Sequence, residues 1–249
     1  MNLKKTVMMT IAAGMTAFSL AAPMAAFAAE APAAETASAS EEPRELSAEE
    51  ALELYKQSGY LYTSQRYGFS IVCPTKPVAV VPASMFDGQD YGEVLIFDGE
   101  GYDINDYKHA WRIRCKAFED AAIPDNLAQK SEKEQQAYLD NLMQTMPYEF
   151  ARFADVLGDG KFGLYAVTAK IWDVDENGDG NVDATYSFDS QRVLTFFRGQ
   201  LGGHFAVELL ENPDITAAHT ATYRLGLMTF QEIPVVNNDA VIEKKSEKK

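Results

Sequence analysis

Apolar and polar residues alternate along several short segments, which is the pattern of β-strands with two unlike faces. One segment places four apolar side chains on a single face: Tyr67, Phe69, Ile71 and Cys73. A second places Trp111, Ile113, Cys115 and Ala117 on one face, with Arg112, Arg114 and Lys116 opposite. We expect the apolar face of this second strand to lie on the core and its basic face in water. Further strands are predicted at residues 93–97, 164–172, 186–188, 193–197 and 205–210.

Helical spacings and capping signals predict three helices. Capping boxes at Ser47–Glu50 and Ser131–Glu134 open the first two, which Gly59 and Pro147 end. The second helix carries an apolar stripe: Tyr138, Leu139, Leu142, Met143 and Met146. The third is introduced by Pro213 and Asp214 and runs from Ile215 to Phe230. Its predicted sheet-facing residues are mostly small: Ala217, Ala218, Ala221, Leu225 and Met228.

Glycine-rich segments at residues 99–101 and 199–203 predict hairpin turns between strands. Strands that are joined by hairpins run antiparallel. With helices near the start, middle and end of the chain, the pattern predicts an α+β domain, an antiparallel sheet flanked by helices.

The segment Tyr67-Gly68-Phe69-Ser70-Ile71-Val72-Cys73-Pro74 resembles the opening YGFSI-x-x-P segment of PsbP/Mog1-like domains. The end of the last helix, Met228-Thr229-Phe230, is similar to the final helix of that fold. The resemblance covers about residues 60–232 and implies an α/β/α sandwich, used mostly as a binding or assembly module and not as an enzyme. One branch of the family assists photosystem oxygen evolution and another binds a small GTPase. No partner-specific residues match, so neither role is carried over.

The N-terminus predicts export. Lys4 and Lys5 precede an apolar run, and Ala26-Phe27-Ala28 is an A-x-A site, so we expect a signal peptide over residues 1–28 that is cut after Ala28. A retained membrane anchor is the alternative. Residues 29–45 are rich in Ala, Glu, Ser, Thr and Pro and predict a flexible linker. The predicted globular domain spans 46–236, and 237–249 form a disordered polar tail.

Composition narrows the classes of partner. The chain is 47% hydrophobic and 24% charged, which is ordinary for a globular protein. Its formal net charge of −15 opposes binding to phosphate backbones, so nucleic acid is not expected as a partner. After the signal peptide, no segment approaches the roughly 18 apolar residues that a spanning helix needs. We therefore expect no transmembrane span after signal cleavage.

The residues point to no catalytic centre. The three histidines, His109, His204 and His219, have no zinc-binding spacing, and the glycine motifs of hydrolases and nucleotide-binding proteins are missing from the sequence. Convergence of the histidines on a metal in the folded chain stays open. Six aromatic residues could stack on sugar rings or fill the core, and we favour the core: Tyr55, Tyr60, Tyr62, Tyr67, Trp111 and Trp172.

The two cysteines, Cys73 and Cys115, lie on apolar strand faces of a protein predicted to enter an oxidising compartment. A disulfide can form between them if their strands are neighbours in register. The alternative is a pair of buried free thiols that behave as small hydrophobic residues.

An acidic loop is the most informative motif. Counting from Asp175, oxygen-bearing residues fall at positions 1, 3, 5, 7 and 9, with glycine at 6, as in a calcium-binding loop: Asp175, Asn177, Asp179, Asn181 and Asp183. Position 12 holds Tyr186 in place of the bidentate glutamate, so we expect any calcium affinity to be weak. The loop resembles those of dockerins in its front half. The other interpretation is a solvated hairpin tip, because Asn-Gly and Asp-Gly favour hairpins.

These patterns predict an exported, non-enzymatic binding or accessory module that is periplasmic, envelope-associated or secreted. Its expected partner is an unidentified protein or glycan of the envelope, and calcium is the expected cofactor, in a weak site. The alternatives are a secreted hydrolase that acts on cell-wall or dietary polymer and a calcium-stabilised structural protein.

Overall fold

The computed structural model describes residues 46–116, 130–212 and 215–235. The predicted signal peptide, linker and polar tail lie outside the described residues, as do Ala117, Pro213 and Asp214. The described helices are α1 (Ala48–Ser58), α2 (Glu132–Thr145) and α3 (Ala217–Met228), with a 3₁₀ helix at Ala83–Met85. The described strands are β1 (Tyr60–Ser64), β2 (Phe69–Cys73), β3 (Ala79–Pro82), β4 (Gly92–Gly99), β5 (Tyr107–Cys115), β6 (Tyr148–Asp155), β7 (Phe162–Thr168), β8 (Ile171–Val174), β9 (Ala184–Ser187), β10 (Arg192–Arg198), β11 (His204–Glu211) and β12 (Gln231–Glu232).

The strands form antiparallel sheets, as their hairpin connections predict. Seven strands make the main sheet in the order β3-β4-β5-β11-β10-β7-β6. A smaller sheet has the order β1-β2-β12, and β8 and β9 pair with each other in a separate hairpin. With three described α-helices added, the architecture is mainly antiparallel β with helices, as the α+β prediction requires at this level.

Capping boxes begin the first two helices at the predicted residues. Ser47 accepts a hydrogen bond from the Glu50 amide, and the Glu50 carboxylate accepts one from the Ser47 amide. Ser131 and Glu134 repeat the arrangement at α2. Each box satisfies backbone donors that the first helical turn leaves unpaired. The apolar stripe of α2 is half-buried against the main sheet, apart from Met146, which is exposed.

The larger hydrophobic core lies on the face of the main sheet that α3 covers, which we call the first face. Trp111, at the centre of β5, is fully buried beneath α3, and the β2 side chains that were predicted to share a face lie in the same cluster. The predicted small face of α3 is wrong at Ala217 and Ala218, which are exposed, whereas Leu225 is buried as predicted. Gly226 makes the close approach instead: a Cβ there would lie 2.5 Å from the Trp111 ring.

The second face of the main sheet is also covered, which corrects the prediction for Arg112 and Arg114 that the basic face of this strand lies in water, whereas Lys116, just beyond β5, is exposed as predicted. Arg112 is buried with only 7% of its surface exposed, and Arg114 is half-buried. The 3₁₀ helix packs over one end of this face and α2 over the other. The alternation of β5 therefore separates an apolar face from a charged one, and Arg112 of the charged face is also inside the protein.

Cys73 and Cys115 are free and buried. Their strands are not neighbours, because β2 pairs with β1 and β12 whereas β5 pairs with β4 and β11. Burial raises the pKa of each thiol to about 12. Both residues therefore behave as small hydrophobic side chains of one core.

Candidate functional site

The β8–β9 hairpin, which we call the arm, stands apart from the main sheet. The predicted strand 164–172 divides into β7 and β8, so that the chain leaves the sheet after Thr168. Within the described residues, β8 and β9 pair only with each other, and one edge of each strand is unpaired. Four large apolar side chains of the arm and its base are exposed: Ile171, Val182, Tyr186 and Phe188. An isolated two-stranded hairpin is marginally stable in water, so the arm needs further support to be rigid.

The predicted acidic loop forms the tip of the arm, between Val174 and Ala184. The Asp175 carboxylate accepts hydrogen bonds from the amides of Gly178, Asp179 and Gly180, at 2.7 to 3.2 Å. These bonds, that from Gly180 first, hold the pKa of Asp175 below its usual range. Gly178 and Gly180 have φ of +75° and +86°, which favours glycine at both positions. The loop is thus wrapped around one carboxylate.

Two further pairs of side chains are in contact within the loop at the tip. The Asn177 amide nitrogen lies 3.4 Å from a carboxylate oxygen of Asp183, whose other oxygen accepts from the Glu176 amide. Asp179 accepts from the backbone and side-chain amides of Asn181, both at 2.8 Å. In the part of the chain that the structure describes, no three His, Cys, Asp or Glu side chains are grouped to hold a metal ion. The predicted calcium ligands thus lie in one loop, where the Asp175, Asp179 and Asp183 carboxylates accept hydrogen bonds from amides of the loop itself.

A buried ionic network occupies the centre of the second sheet face. Glu208 of β11 lies 2.6 Å from Arg112 and 2.8 Å from Arg114 of β5, and only 1% of its side chain is exposed. Asp90 completes the group at 3.2 Å from Arg112. Burial raises the pKa of Asp90, although both guanidinium groups oppose the rise. Two arginines and two carboxylates balance each other, so the network carries no net charge when all four are ionised.

A cavity of about 550 Å³ opens beside this network, at the end of the sheet where β5 and β10 begin and β7 and β11 end. Its size is within the range of small-molecule sites. The wall combines aromatic, hydroxyl and amide groups with one guanidinium: Phe86, Tyr107, Thr168, Ser190, Arg192 and Asn212. The base of the arm, through Phe188 and Asp189, lies on the same wall.

Two of the three histidines come together. His109 of β5 and His219 of α3 stack with ring centroids 3.8 Å apart and planes 14° apart. Nδ1 of His219 contacts the buried carboxylate of Glu211, which also accepts from the Thr216 amide. Burial and the neighbouring His219 lower the pKa of His109 to about 3. His204 lies at the opposite end of β11 from Glu211, so the three histidines do not converge.

The prediction that six aromatic rings fill the core is confirmed for three of them. Tyr55, Tyr67 and Trp111 are buried, as expected for core residues. Tyr60 is exposed, and Trp172 stays half-exposed on the arm, where its ring centroid lies 5.7 Å from that of Tyr186. This pair lies on one face of the hairpin, with Trp172 half-buried and Tyr186 exposed.

Comparison with family models, curated proteins and solved structures found no match for the chain. The resemblance to PsbP/Mog1-like domains therefore stays a prediction from the sequence. Among the described residues, none of the helices is both long enough and apolar enough to cross a membrane.

Sequence reasoning missed the cavity and the buried network. Glu208 and Arg112 are 96 positions apart and meet only because β5 and β11 are paired. The available signal is the alternation that places Arg112, Arg114 and Lys116 on one face, since buried arginines need acidic partners. Arg192 also gave a signal, since it is the charged residue directly before the apolar run 193–197.

Proposed function

We propose that the protein is an exported, non-enzymatic binding or accessory module, and that the arm is its contact element. The observation that carries this proposal is the separate β8–β9 hairpin, with unpaired edges and exposed apolar side chains. Exposed apolar surface next to polar residues is typical of interaction sites. Sheet edges recognise extended chains through their backbone hydrogen-bonding groups.

The arm favours a protein partner over a glycan. Ile171 and Val182 are aliphatic and have 65% and 58% of their surface exposed. Branched aliphatic side chains suit packing against another protein, whereas a sugar ring stacks on flat aromatic faces. The unpaired strand edges offer amide and carbonyl groups in the spacing of another β-strand. A protein of the cell envelope is therefore the proposed partner, and the PsbP/Mog1-like sandwich is the proposed fold family.

We also propose that calcium orders the arm tip weakly, with side-chain oxygens of Asp175, Asn177, Asp179 and Asp183 and the carbonyl of Asn181 as ligands. The supporting observations are the spacing of the motif and the loop wrapped around Asp175. Binding would replace some of the internal hydrogen bonds by metal contacts. Position 12 of the motif is Tyr186 and supplies no carboxylate, so we expect a dissociation constant for calcium of about 10⁻⁴–10⁻³ M.

A competing function, hydrolysis, has one structural observation in its favour. The Glu211 carboxylate contacts His219 and could orient its ring as a general base. Within the described residues, no hydroxyl or thiol hydrogen bonds to this ring, so the pair lacks a nucleophile. His219→Gln separates the two functions, because it removes a base without altering the arm.

The proposal is tested by capture of envelope proteins with and without the arm. Lys170 and Phe188 are paired through a 2.8 Å backbone hydrogen bond, so residues 171–187 can be replaced by an Asn-Gly turn. The matched control replaces residues 200–202 of the β10–β11 turn by the same dipeptide, which shortens a different exposed hairpin. Both variants are compared by thermal melting before use.

A further inference from the structure

The cavity described above has on its wall an arginine, Arg192, that forms no ion pair with a described residue of the protein. Arg192 begins β10, and its backbone amide donates to the Thr168 hydroxyl at 2.8 Å. Within the described residues, no carboxylate lies within 4 Å of its guanidinium, whereas Arg112 beside it contacts both Glu208 and Asp90. The chain has 37 acidic and 22 basic residues, so an arginine without an acidic neighbour is unexpected here.

Aromatic stacking holds this guanidinium in place. The Arg192 Cζ lies 5.3 Å from the Phe86 ring centroid, and Arg112 approaches the same ring at 4.8 Å. Phe86 in turn packs against Tyr107 with centroids 6.0 Å apart. A guanidinium that rests on an aromatic ring keeps its planar edge of N–H donors available to a ligand.

We propose that this cavity binds a small molecule that carries a single carboxylate on an apolar body. Arg192 would hold the carboxylate through paired N–H donors, which match its planar geometry. Met85 and Ile104 on the same wall would contact the apolar part. Asp189, an exposed carboxylate at the cavity, repels a second negative charge, which favours a monoanion over phosphate. This ligand is proposed separately from the arm's protein partner, although Phe188 at the base of the arm lies on the cavity wall.

Phenylacetate is the probe that tests the site, with phenylacetamide as the neutral molecule of the same shape and inorganic phosphate as the dianion. Binding to the purified full chain is followed by ligand-observed NMR titration at pH 8, where most inorganic phosphate is the dianion and phenylacetate is fully ionised. We expect phenylacetate to bind, and Arg192→Gln to weaken its binding about tenfold or more. Arg198→Gln, at the other end of the same strand, is the matched control and should leave binding unchanged.

Each remaining outcome bears on the assignment. Phenylacetamide that binds as well as phenylacetate would overturn recognition of the charge, and phosphate that binds as well would overturn the preference for a carboxylate. Unchanged phenylacetate binding in Arg192→Gln, or no binding to the natural chain, would also contradict the proposal. If Arg192→Gln does not fold, Arg192→Lys keeps the charge and removes the paired donors, and we expect weaker binding by severalfold.

Discussion

Glu208 is an acidic side chain at the centre of the main sheet, where it contacts two arginines on the neighbouring strand. Taking charged groups out of water is costly unless each finds a partner. Because Arg112 and Arg114 both depend on this carboxylate, its loss would leave positive charge buried with Asp90 as the remaining partner.

The first prediction follows from that dependence. Glu208→Gln is expected to lower the free energy of unfolding by about 3–5 kcal/mol, measured by urea denaturation at pH 7. Glu53→Gln is the control, because Glu53 pairs with Lys56 at the surface and its loss should cost less than about 1 kcal/mol. Equal effects of the two substitutions would contradict the buried role of Glu208.

His109 is the residue whose protonation should limit stability in acid. Its pKa in the folded protein is about 3, below the ordinary value of 6.5, because the ring is buried and faces His219. As the pH falls below about 6.5, the unfolded chain takes up this proton first. The contribution of neutral His109 to stability is therefore complete above that pH and is lost progressively towards pH 3.

The second prediction uses His109→Phe, which keeps a ring between Phe97 and His219 and cannot be protonated. The natural protein should lose on the order of 4 kcal/mol more than the variant between pH 6.5 and pH 3. Urea denaturation at a series of pH values measures both. Glu211, His219 and Asp98, the charged and titratable groups nearest to the ring, are present in both proteins. Parallel pH profiles would show that His109 is not buried as a neutral ring.

At the scale of elements, the arm is the part that is least supported by the rest of the fold. Its strands are four residues each and pair only with each other within the described chain. Its stability therefore depends on the turn and on whatever binds it. Calcium at the tip would stabilise this element most.

The third prediction is that calcium raises the melting temperature of the protein and slows amide exchange in β8 and β9. The stabilisation should stay below roughly 2 kcal/mol at concentrations near the dissociation constant. Asp179→Ala should abolish both effects, whereas Glu176→Gln, which removes a charge at position 2 of the same loop, should retain them. Identical melting and exchange in chelator and in millimolar calcium would leave the solvated hairpin tip as the correct interpretation.

The elements that were predictable share a local signal. The two capping boxes and the alternation around Trp111 can be recognised within a few residues, and the structure confirms them. Strand β6 carries no such signal, because only Tyr148 and Ala154 along it are buried. The close contact between α3 and the sheet could not be predicted in this way. It is made at Gly226, where the Trp111 ring leaves no room for a side chain, and Trp111 is distant in the sequence.

At the scale of the whole molecule, the two candidate sites differ in whether their residues are adjacent in the sequence. The acidic loop is continuous in sequence, so its motif can be recognised without knowledge of the fold. The cavity is assembled from separate segments, including residues 85–86, 104–107 and 187–192, which only the strand order brings together. The cavity can therefore be recognised only when the order of the strands in the sheet is known.

The capture experiment tests the central claim, that the protein is a binding module which uses its arm. The purified chain, the variant with residues 171–187 replaced and the control with residues 200–202 replaced are immobilised and exposed to an envelope extract of the producing cells. We predict that one envelope protein is enriched by the natural chain and the control, that it is lost with the arm, and that it binds directly when purified. Capture that is equal with and without the arm, enrichment of glycan alone, or polymer hydrolysis that His219→Gln abolishes would contradict the account.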